Sequence, residues 1–358
     1  MKKIAIITVH VGQNFGSNLQ TIATSDVIKS IGCEPVVVNY IPNRVTKAHY
    51  WNEAVSSAKK FIRRVLAYPI FLKNWHLYQD FLKSKCELSS PIYDEDDFAK
   101  CCPQADVYLT GSDQVWNSSH NQGINTRYYY EGIEGKKVSF SSSFGIEKLP
   151  ITEYEKVKGL LSSYDSISVR EDSAKQIIES MGYNATHLLD PTFLLNKEMW
   201  RNYMTPRKIK QPYLLIYVPY NIVDKHRLYS DAREIASRKG LKLVTFSWDH
   251  RIEHLADITI RFANPGDFLS LIYFADFVIT NSFHGTAFSI NLNKQFLVYM
   301  PSDFGTRINS ILTLCKLESR LMTDNLKITE DVIDFEEVNK ILNQERLKAM
   351  SFLKSALL

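Results

Sequence analysis

Nothing in the 358 residues approaches the roughly 18 uninterrupted apolar positions that a spanning helix requires; the longest run, Val65 to Leu72, is broken by Pro69. A transmembrane protein is therefore not expected. The opening MKKIAIITVH is too short an apolar stretch for a secretory leader and already carries a Thr and a His, so the expected location is the cytoplasm. Cysteine is scarce: Cys33, Cys86, Cys101, Cys102 and Cys315 are odd in number and form no C-x-x-C pair. That argues against a disulfide framework or a cysteine metal site and for reduced thiols. Charge of one sign is not in excess either. A net charge of +4 fits an anionic substrate or an acidic membrane surface without demanding nucleic acid. Internal repeats, low-complexity tracts, a P-loop and a metal-ligand signature are all missing.

What is present is an ordinary globular composition, 45% hydrophobic with 12% aromatic, in a chain longer than one core usually serves. Short β-branched runs alternate with longer amphipathic stretches, which predicts βαβ units around parallel sheets. Strands are expected at 3–9, 35–40, 105–110, 137–142 and 166–169, with a helix over 18–31 closed by Gly32. After Asp190-Pro191-Thr192 and the polar stretch 201–211, read as the interdomain connection, the pattern restarts. Strands are then expected at 213–218, 241–247, 277–280 and 296–300, with helices at 224–239, 266–274, 285–292 and 335–357. The expectation is an α/β protein with domains over 1–195 and 196–358, the second carrying the C-terminal helix 335–357.

The first domain is interrupted by a helical insertion over about 51–101. Within it, residues 59–85 hold Lys59, Lys60, Arg63, Arg64, Lys73, Lys83 and Lys85 against Asp80, interleaved with Phe61, Tyr68, Phe71, Trp75 and Tyr78. Such a basic, aromatic helix pair suits a membrane interface; equally, its aromatics could pack on the first domain and leave its charges solvated.

Four motifs follow predicted strands, where open α/β sheets place their ligands. In Asn14-Phe15-Gly16-Ser17-Asn18-Leu19-Gln20, Gly16 permits close backbone approach and the helix start offers N–H groups to an anion or hydroxyl; a plain helix cap is the alternative. In Gly111-Ser112-Asp113-Gln114-Val115-Trp116-Asn117, Asp113 could accept a hydroxyl proton, Gln114 and Asn117 could bind hydroxyls and Trp116 could stack on a pyranose, or Asp113 caps a helix and Trp116 belongs to the core. Ser168-Val169-Arg170-Glu171 delivers a guanidinium suited to carboxylate or phosphate, unless Arg170 pairs with Glu171. Ser282-Phe283-His284-Gly285-Thr286 sets an imidazole beside a helix start, with Arg307 of Gly305-Thr306-Arg307-Ile308 within possible reach.

Together with Ser141-Ser142-Ser143-Phe144-Gly145, and in this order along most of the chain, these motifs resemble the polysaccharide pyruvyl transferase family. The resemblance implies two Rossmann-like domains facing across a cleft, as in GT-B glycosyltransferases. It also implies phosphoenolpyruvate as co-substrate, a hexose hydroxyl pair in a cell-surface (capsule or exopolysaccharide) precursor as acceptor, and a cyclic pyruvate ketal as product. No cofactor and no metal are implied. The first domain would serve the acceptor, through Asn14, Ser17, Gln20, Gln114, Trp116 and Asn117. The second would serve the donor, through Ser282, Phe283, Gly285, Thr286 and Arg307, with Arg170 reaching over from the first.

The family places Arg-Leu-His where Ser282-Phe283-His284 stands, so Ser282 replaces an expected arginine and Arg307 or backbone N–H groups would supply the missing anion contact. His284 would be the proton donor and Asp113 the base. A lipid-linked acceptor would give the segment 59–85 a reason to meet the inner membrane face. Two other readings share the architecture: a glycosyltransferase using a nucleotide sugar, and a catalytically silent carbohydrate-binding protein.

Overall fold

A computed structural model of the chain describes residues 1–358 except 53–57, 222–223, 248–251, 302–304 and 323–330, and except the side chains of 47, 48, 52 and 58–60. The Lys59 and Lys60 side chains named above thus lie outside the described residues. Two six-stranded parallel sheets dominate. The first runs in the spatial order Glu34–Val37, Lys3–Ile7, Val107–Thr110, Lys136–Ser142, Ser166–Val169, Thr186–His187. The second runs Ile258–Ile260, Lys242–Phe246, Tyr213–Tyr217, Phe277–Thr280, Phe296–Tyr299, Leu321–Met322. Both have the doubly wound pattern. Their central strands are buried over almost their whole length, which is why residues 4–7 of the first and Tyr213–Tyr217 of the second read as continuous apolar runs rather than alternating ones.

In each sheet the strand order reverses beside the first strand, and that reversal opens a crevice at the carboxyl ends. In the first sheet it lies between Lys3–Ile7 and Val107–Thr110, so the residues that follow, Asn14–Ser17 and Gly111–Asp113, rim it. In the second it lies between Tyr213–Tyr217 and Phe277–Thr280, which puts Ser282–Gly285 at its edge. Fold geometry thus selects three of the four motifs as neighbours of a shared gap.

Several elements differ from expectation for local reasons. The first helix is Phe15–Ser30, starting earlier because the Asn14 side chain accepts from the Gly16 and Ser17 N–H groups. The expected helix pair of the insertion is one long helix, Ala58–Lys83, with Pro69 inside it, preceded by the short Lys47–Asn52. The overlooked strands are two- or three-residue edge pieces, among them Thr186–His187 and Leu321–Met322, too short for a periodicity to show. The C-terminal helix Phe335–Leu357 belongs to both sheet units rather than to the second alone. Just before it, Ile333 N donates to Gln295 in the second unit (2.9 Å), whereas Lys2 Nζ in the first donates to the Leu357 carbonyl (3.1 Å) at its end.

Aromatic side chains join the two halves. Phe15, at the first turn of its helix, stacks on Phe268 (4.9 Å between centroids) and Tyr78 (5.1 Å) and touches Tyr217 and Phe246. Trp200, fully buried in the connection, donates from Nε1 to the Thr192 carbonyl (2.9 Å) and packs edge-on against Phe288. Among the described residues, no helix is long and apolar enough to cross a membrane. Trp200→Ala, which leaves a cavity while Asn291 Nδ2 still donates to the Thr192 carbonyl (2.9 Å), is expected to lower stability by about 3–5 kcal/mol, read as a fall in the urea midpoint.

Candidate active site

Arg170 enters the gap from the end of Ser166–Val169 and is almost wholly buried. A guanidinium removed from water needs carboxylates, and two are supplied. Its Nη1 donates to Asp190 Oδ2 at 2.8 Å, and its Nη2 stands 3.5 Å from Asp113 Oδ1. Asp190 is saturated: Oδ1 accepts from the Thr192 N–H (2.9 Å) and hydroxyl (2.7 Å), while Oδ2 also accepts from the Ser112 hydroxyl (2.8 Å). Asp113 sits on a left-handed turn with φ +73, a conformation few residues with a Cβ adopt. The turn points its carboxylate into the gap, where Oδ2 accepts from Ser17 Oγ at 2.6 Å.

From the opposite unit come His284 and Arg307. His284 Nε2 lies 4.0 Å from Asp190 Oδ2, and Arg307 Nη1 lies 3.9 Å from Asp113 Oδ1. The Phe283 ring lies near both cations, 4.5 Å from the Arg170 guanidinium carbon and 5.8 Å from that of Arg307. His284 Nε2 is buried without a hydrogen-bond partner, as are the Nε atoms of both arginines. Buried donors left over in this way are rare and mark a place where an incoming group would be received. Gly16 explains how the two units approach so closely: a Cβ there would lie 1.9 Å from His284 Nδ1. Only a hydrogen fits.

The electrostatics follow from burial. Desolvation lowers the His284 pKa to about 4, against the opposing pull of Asp190 and Asp113, so the imidazole is neutral at pH 7. Burial by itself would raise Asp113; the charge of Arg170, then that of His284 (protonated at the low pH where Asp113 titrates), then that of Arg307 and the Ser17 hydroxyl outweigh it and hold the carboxyl well below the ordinary range. Asp190 is likewise lowered: burial opposes ionisation, and the Arg170 charge leads the groups that overcome it.

The structure therefore brings Arg170, His284, Arg307, Asp113 and Ser17 together and gives the other expected site residues different tasks. Trp116 is a core residue, its ring stacked on Tyr129 (5.5 Å) and packed on Phe144 and Tyr164, with no face open to a pyranose. Gln20 is fully buried and donates to Thr8, Val9, Ser17 and Thr21. Asn117 Nδ2 donates to Gln114 Oε1 (2.7 Å), and Asn117 Oδ1 caps the helical turn Ser118–Asn121, so the Asn117 amide and the Gln114 amide oxygen are engaged within the loop.

Each of the two helix starts already has a side-chain cap that takes part of its N–H donors. Asn14 caps one, and Ser282 Oγ caps the other by accepting from the Gly285 N–H (3.4 Å). Thr286 Oγ1 donates back to the Ser282 carbonyl (3.0 Å). Gly285 is required for packing, since a Cβ would fall 2.2 Å from Thr280 Oγ1.

Glu171 is not the partner of Arg170. It turns away to accept from Ser143 Oγ and from the Phe144 and Gly145 N–H groups at 2.9–3.0 Å, fixing the Ser141–Gly145 turn beneath the site. Asp190 is not apparent from the sequence as a site residue, because Asp190-Pro191-Thr192 reads locally as a connector. The one clue available was a carboxylate at a strand end in a chain that must bury Arg170. Among the described residues, no group of three His, Cys, Asp or Glu side chains could hold a metal ion.

The sequence model of the family described as polysaccharide pyruvyl transferase matches residues 14–303. No curated protein matches the chain in sequence. Among solved structures, a Listeria monocytogenes protein assigned as a UDP-N-acetylglucosamine 2-epimerase is similar at 11% identity and TM-score 0.52, over 98% of this chain and 90% of that one. S. aureus MnaA, solved with UDP, is similar at 12% identity and TM-score 0.51, over 98% and 91%. These likenesses support the GT-B architecture of two Rossmann-like domains, and the fold alone.

Asp190→Asn removes the charge nearest Arg170, and we expect a loss of about 3–5 kcal/mol at pH 7. A carboxyl depressed in the folded protein contributes fully above its unfolded value of about 4, and the contribution fades as pH falls below it. The denaturant-midpoint gap between wild type and variant is therefore expected to narrow between pH 5 and pH 3.

Proposed function

Because the chain belongs to the polysaccharide pyruvyl transferase family and is thereby a transferase, we propose that it moves the pyruvyl group of phosphoenolpyruvate onto two hydroxyls of a hexose in a cell-surface polysaccharide precursor. The observation that carries this is the pairing of Arg170 and Arg307 about Phe283, beside a buried imidazole whose Nε2 has no partner. Two guanidiniums suit a donor with carboxylate and phosphate ends, and Arg307 takes the part that an arginine at position 282 would play.

The same anion prepares both catalytic groups. Negative charge entering the gap raises the pKa of His284, which then takes up a proton. It also offsets the arginine charges that keep Asp113 so weak a base. His284 delivers its proton to the enol methylene, turning CH2 into CH3 and leaving C2 electrophilic. An acceptor hydroxyl bonds to C2 as its proton passes to Asp113. A second hydroxyl then bonds to C2 as the C2–O bond to phosphate breaks. Its proton restores His284, and the leaving phosphate takes the proton held by Asp113. Atoms and charges balance, and ketal and phosphate are the products.

We place this reaction in the cytoplasm, on a lipid-linked acceptor at the inner membrane face. Support comes from the exposed Phe61, Ile62, Val65 and Leu66 on the long helix beside Arg63 and Arg64, and from cysteines that are all unpaired. The rival donor is a nucleotide sugar, since S. aureus MnaA was solved with UDP on a similar fold.

Incubation with phosphoenolpyruvate and a panel of lipid-linked and aryl glycosides is expected to release phosphate and add an acid-labile mass to one glycoside. Thermal stabilisation by UDP-sugars but not by phosphoenolpyruvate, without that mass gain, would overturn the assignment. His284→Ala is expected to cut turnover by about 10²–10⁴ while donor binding survives. Calorimetry at pH 8, where the donor phosphate (pKa about 6) is fully ionised, is expected to show wild type taking up about one proton per donor bound and His284→Ala taking up none.

A further inference from the structure

The connection between the domains is held on the side away from Arg170 as well. At one end Asp190 Oδ2 lies 4.0 Å from His284 Nε2, near the start of the helix Phe283–Asn291. At the other the Thr192 and Leu195 carbonyls are bound by Asn291, the last residue of that helix. Asn291 follows His284 by seven positions, about 10 Å along the helix. One rigid element therefore carries the imidazole and grips the chain that carries Asp190.

Asn291 is buried, and its Nδ2 donates to both carbonyls at 2.9 Å. What fixes the direction of this amide is Arg346 of the C-terminal helix. Its Nη2 donates to Asn291 Oδ1 (2.7 Å) and its Nε to the Phe193 carbonyl (2.7 Å). A guanidinium can only donate, so the amide oxygen must face it and the amide NH2 must face the connection. Arg346 Nη1 donates to Asn343 Oδ1 (2.7 Å). Among the described residues no carboxylate pairs with Arg346, although burial disfavours its charge. Space alone would be better filled there by an apolar side chain.

The constraint passes inward from there. Thr192 donates from its N–H and its hydroxyl to Asp190 Oδ1, and Asp190 Oδ2 receives Arg170. We propose that Arg346 and Asn291 are positioning residues for the transfer: by fixing the turn at Thr192 they set where Asp190 stands between the Arg170 guanidinium and the His284 imidazole. That a transfer is what they serve rests on the function proposed above. Their own bonds are to the connection and to the two helices, so they act only through Asp190. A shift of about 1 Å in a group that orients the reacting ones is enough to cost about 10² in rate.

The test is calorimetry of the full chain at pH 8 with phosphoenolpyruvate and, separately, with inorganic sulfate, whose charge is fixed there, alongside turnover of phosphoenolpyruvate. The readout is the proton that His284 takes up. Burial opposes its protonation; of the charges that face it, Asp190 favours the proton most, then Asp113, with Arg170 and Arg307 against. Arg346→Gln offers Asn291 an acceptor as well as a donor and lets the amide turn. It is expected to lose at least about half of the wild-type uptake and at least about tenfold in kcat. Arg346→Lys, which can only donate, is expected to restore both to within about twofold. Asn343→Ala removes the one bond that does not lead to the connection and is expected to change neither. In the Asp190→Asn background, adding Arg346→Gln is expected to have no further effect. Should Arg346→Gln not fold, Asn291→Asp keeps a partner for the guanidinium, withdraws the donors from the connection, and is expected to show the same losses. Wild-type uptake and kcat in either folded variant, with only the urea midpoint lowered, overturns the proposal, as does a further fall in the Asp190→Asn background. Arg346-dependent uptake with sulfate in a protein that never turns over phosphoenolpyruvate would sink the donor assignment and leave the positioning role standing. A wild type that takes up no proton with either anion overturns both.

Discussion

The burial of the Arg170 guanidinium is the constraint to which the rest of the molecule answers. A cation removed from water is tolerable only if carboxylates are held against it, and they come from two separate loops, at Asp113 and Asp190. Holding Asp113 there takes a left-handed backbone turn; holding Asp190 takes Ser112, Thr192 and the interdomain connection. The ends of the strands 107–110 and 166–169 and the start of the connection are thereby fixed to one another before the second domain adds anything.

The second domain completes the arrangement without neutralising it. Arg307 brings a further positive charge close to Asp113, while His284, stripped of water, stays neutral. Two arginines and two carboxylates leave the cluster close to balanced, so a multiply charged anion entering it must be matched by protons. Imidazole is the group whose titration range best suits that task. The neutral histidine is therefore a consequence of where it is buried, and burial depends on Gly16 letting the opposite helix come to contact.

Much of this was legible in the sequence, because the doubly wound pattern writes itself as apolar runs followed by polar turns. Arg170 and Asp113 lie on such turns, Ser17, His284 and Arg307 lie in the first turns of helices, and all five meet in the structure. What the sequence could not display is direction. Trp116 and Asp113 share one motif, yet a positive φ at Asp113 sends its carboxylate into the gap while the indole is locked against Tyr129. Gln20 sits four residues beyond Gly16, and one helical turn carries it from the rim into the core. Asp190 went unnoticed for the opposite reason: its role is created by a guanidinium twenty positions away, and nothing in Asp-Pro-Thr announces it. Where a helix pair is expected over the insertion, a single helix, Ala58–Lys83, runs through Pro69, a residue that ordinarily kinks or ends a helix.

The C-terminal helix has a mechanical consequence. The polypeptide leaves the first domain after Thr192 and returns to it when Leu357 meets Lys2, so one covalent crossing is supplemented by a docked helix whose end is held by a hydrogen bond. A body hung from a single tether can swivel freely, whereas one held at two points turns only about the line through them. A second attachment of this kind restricts how the lobes can turn against one another, and so helps keep the histidine of one lobe seated against the glycine of the other.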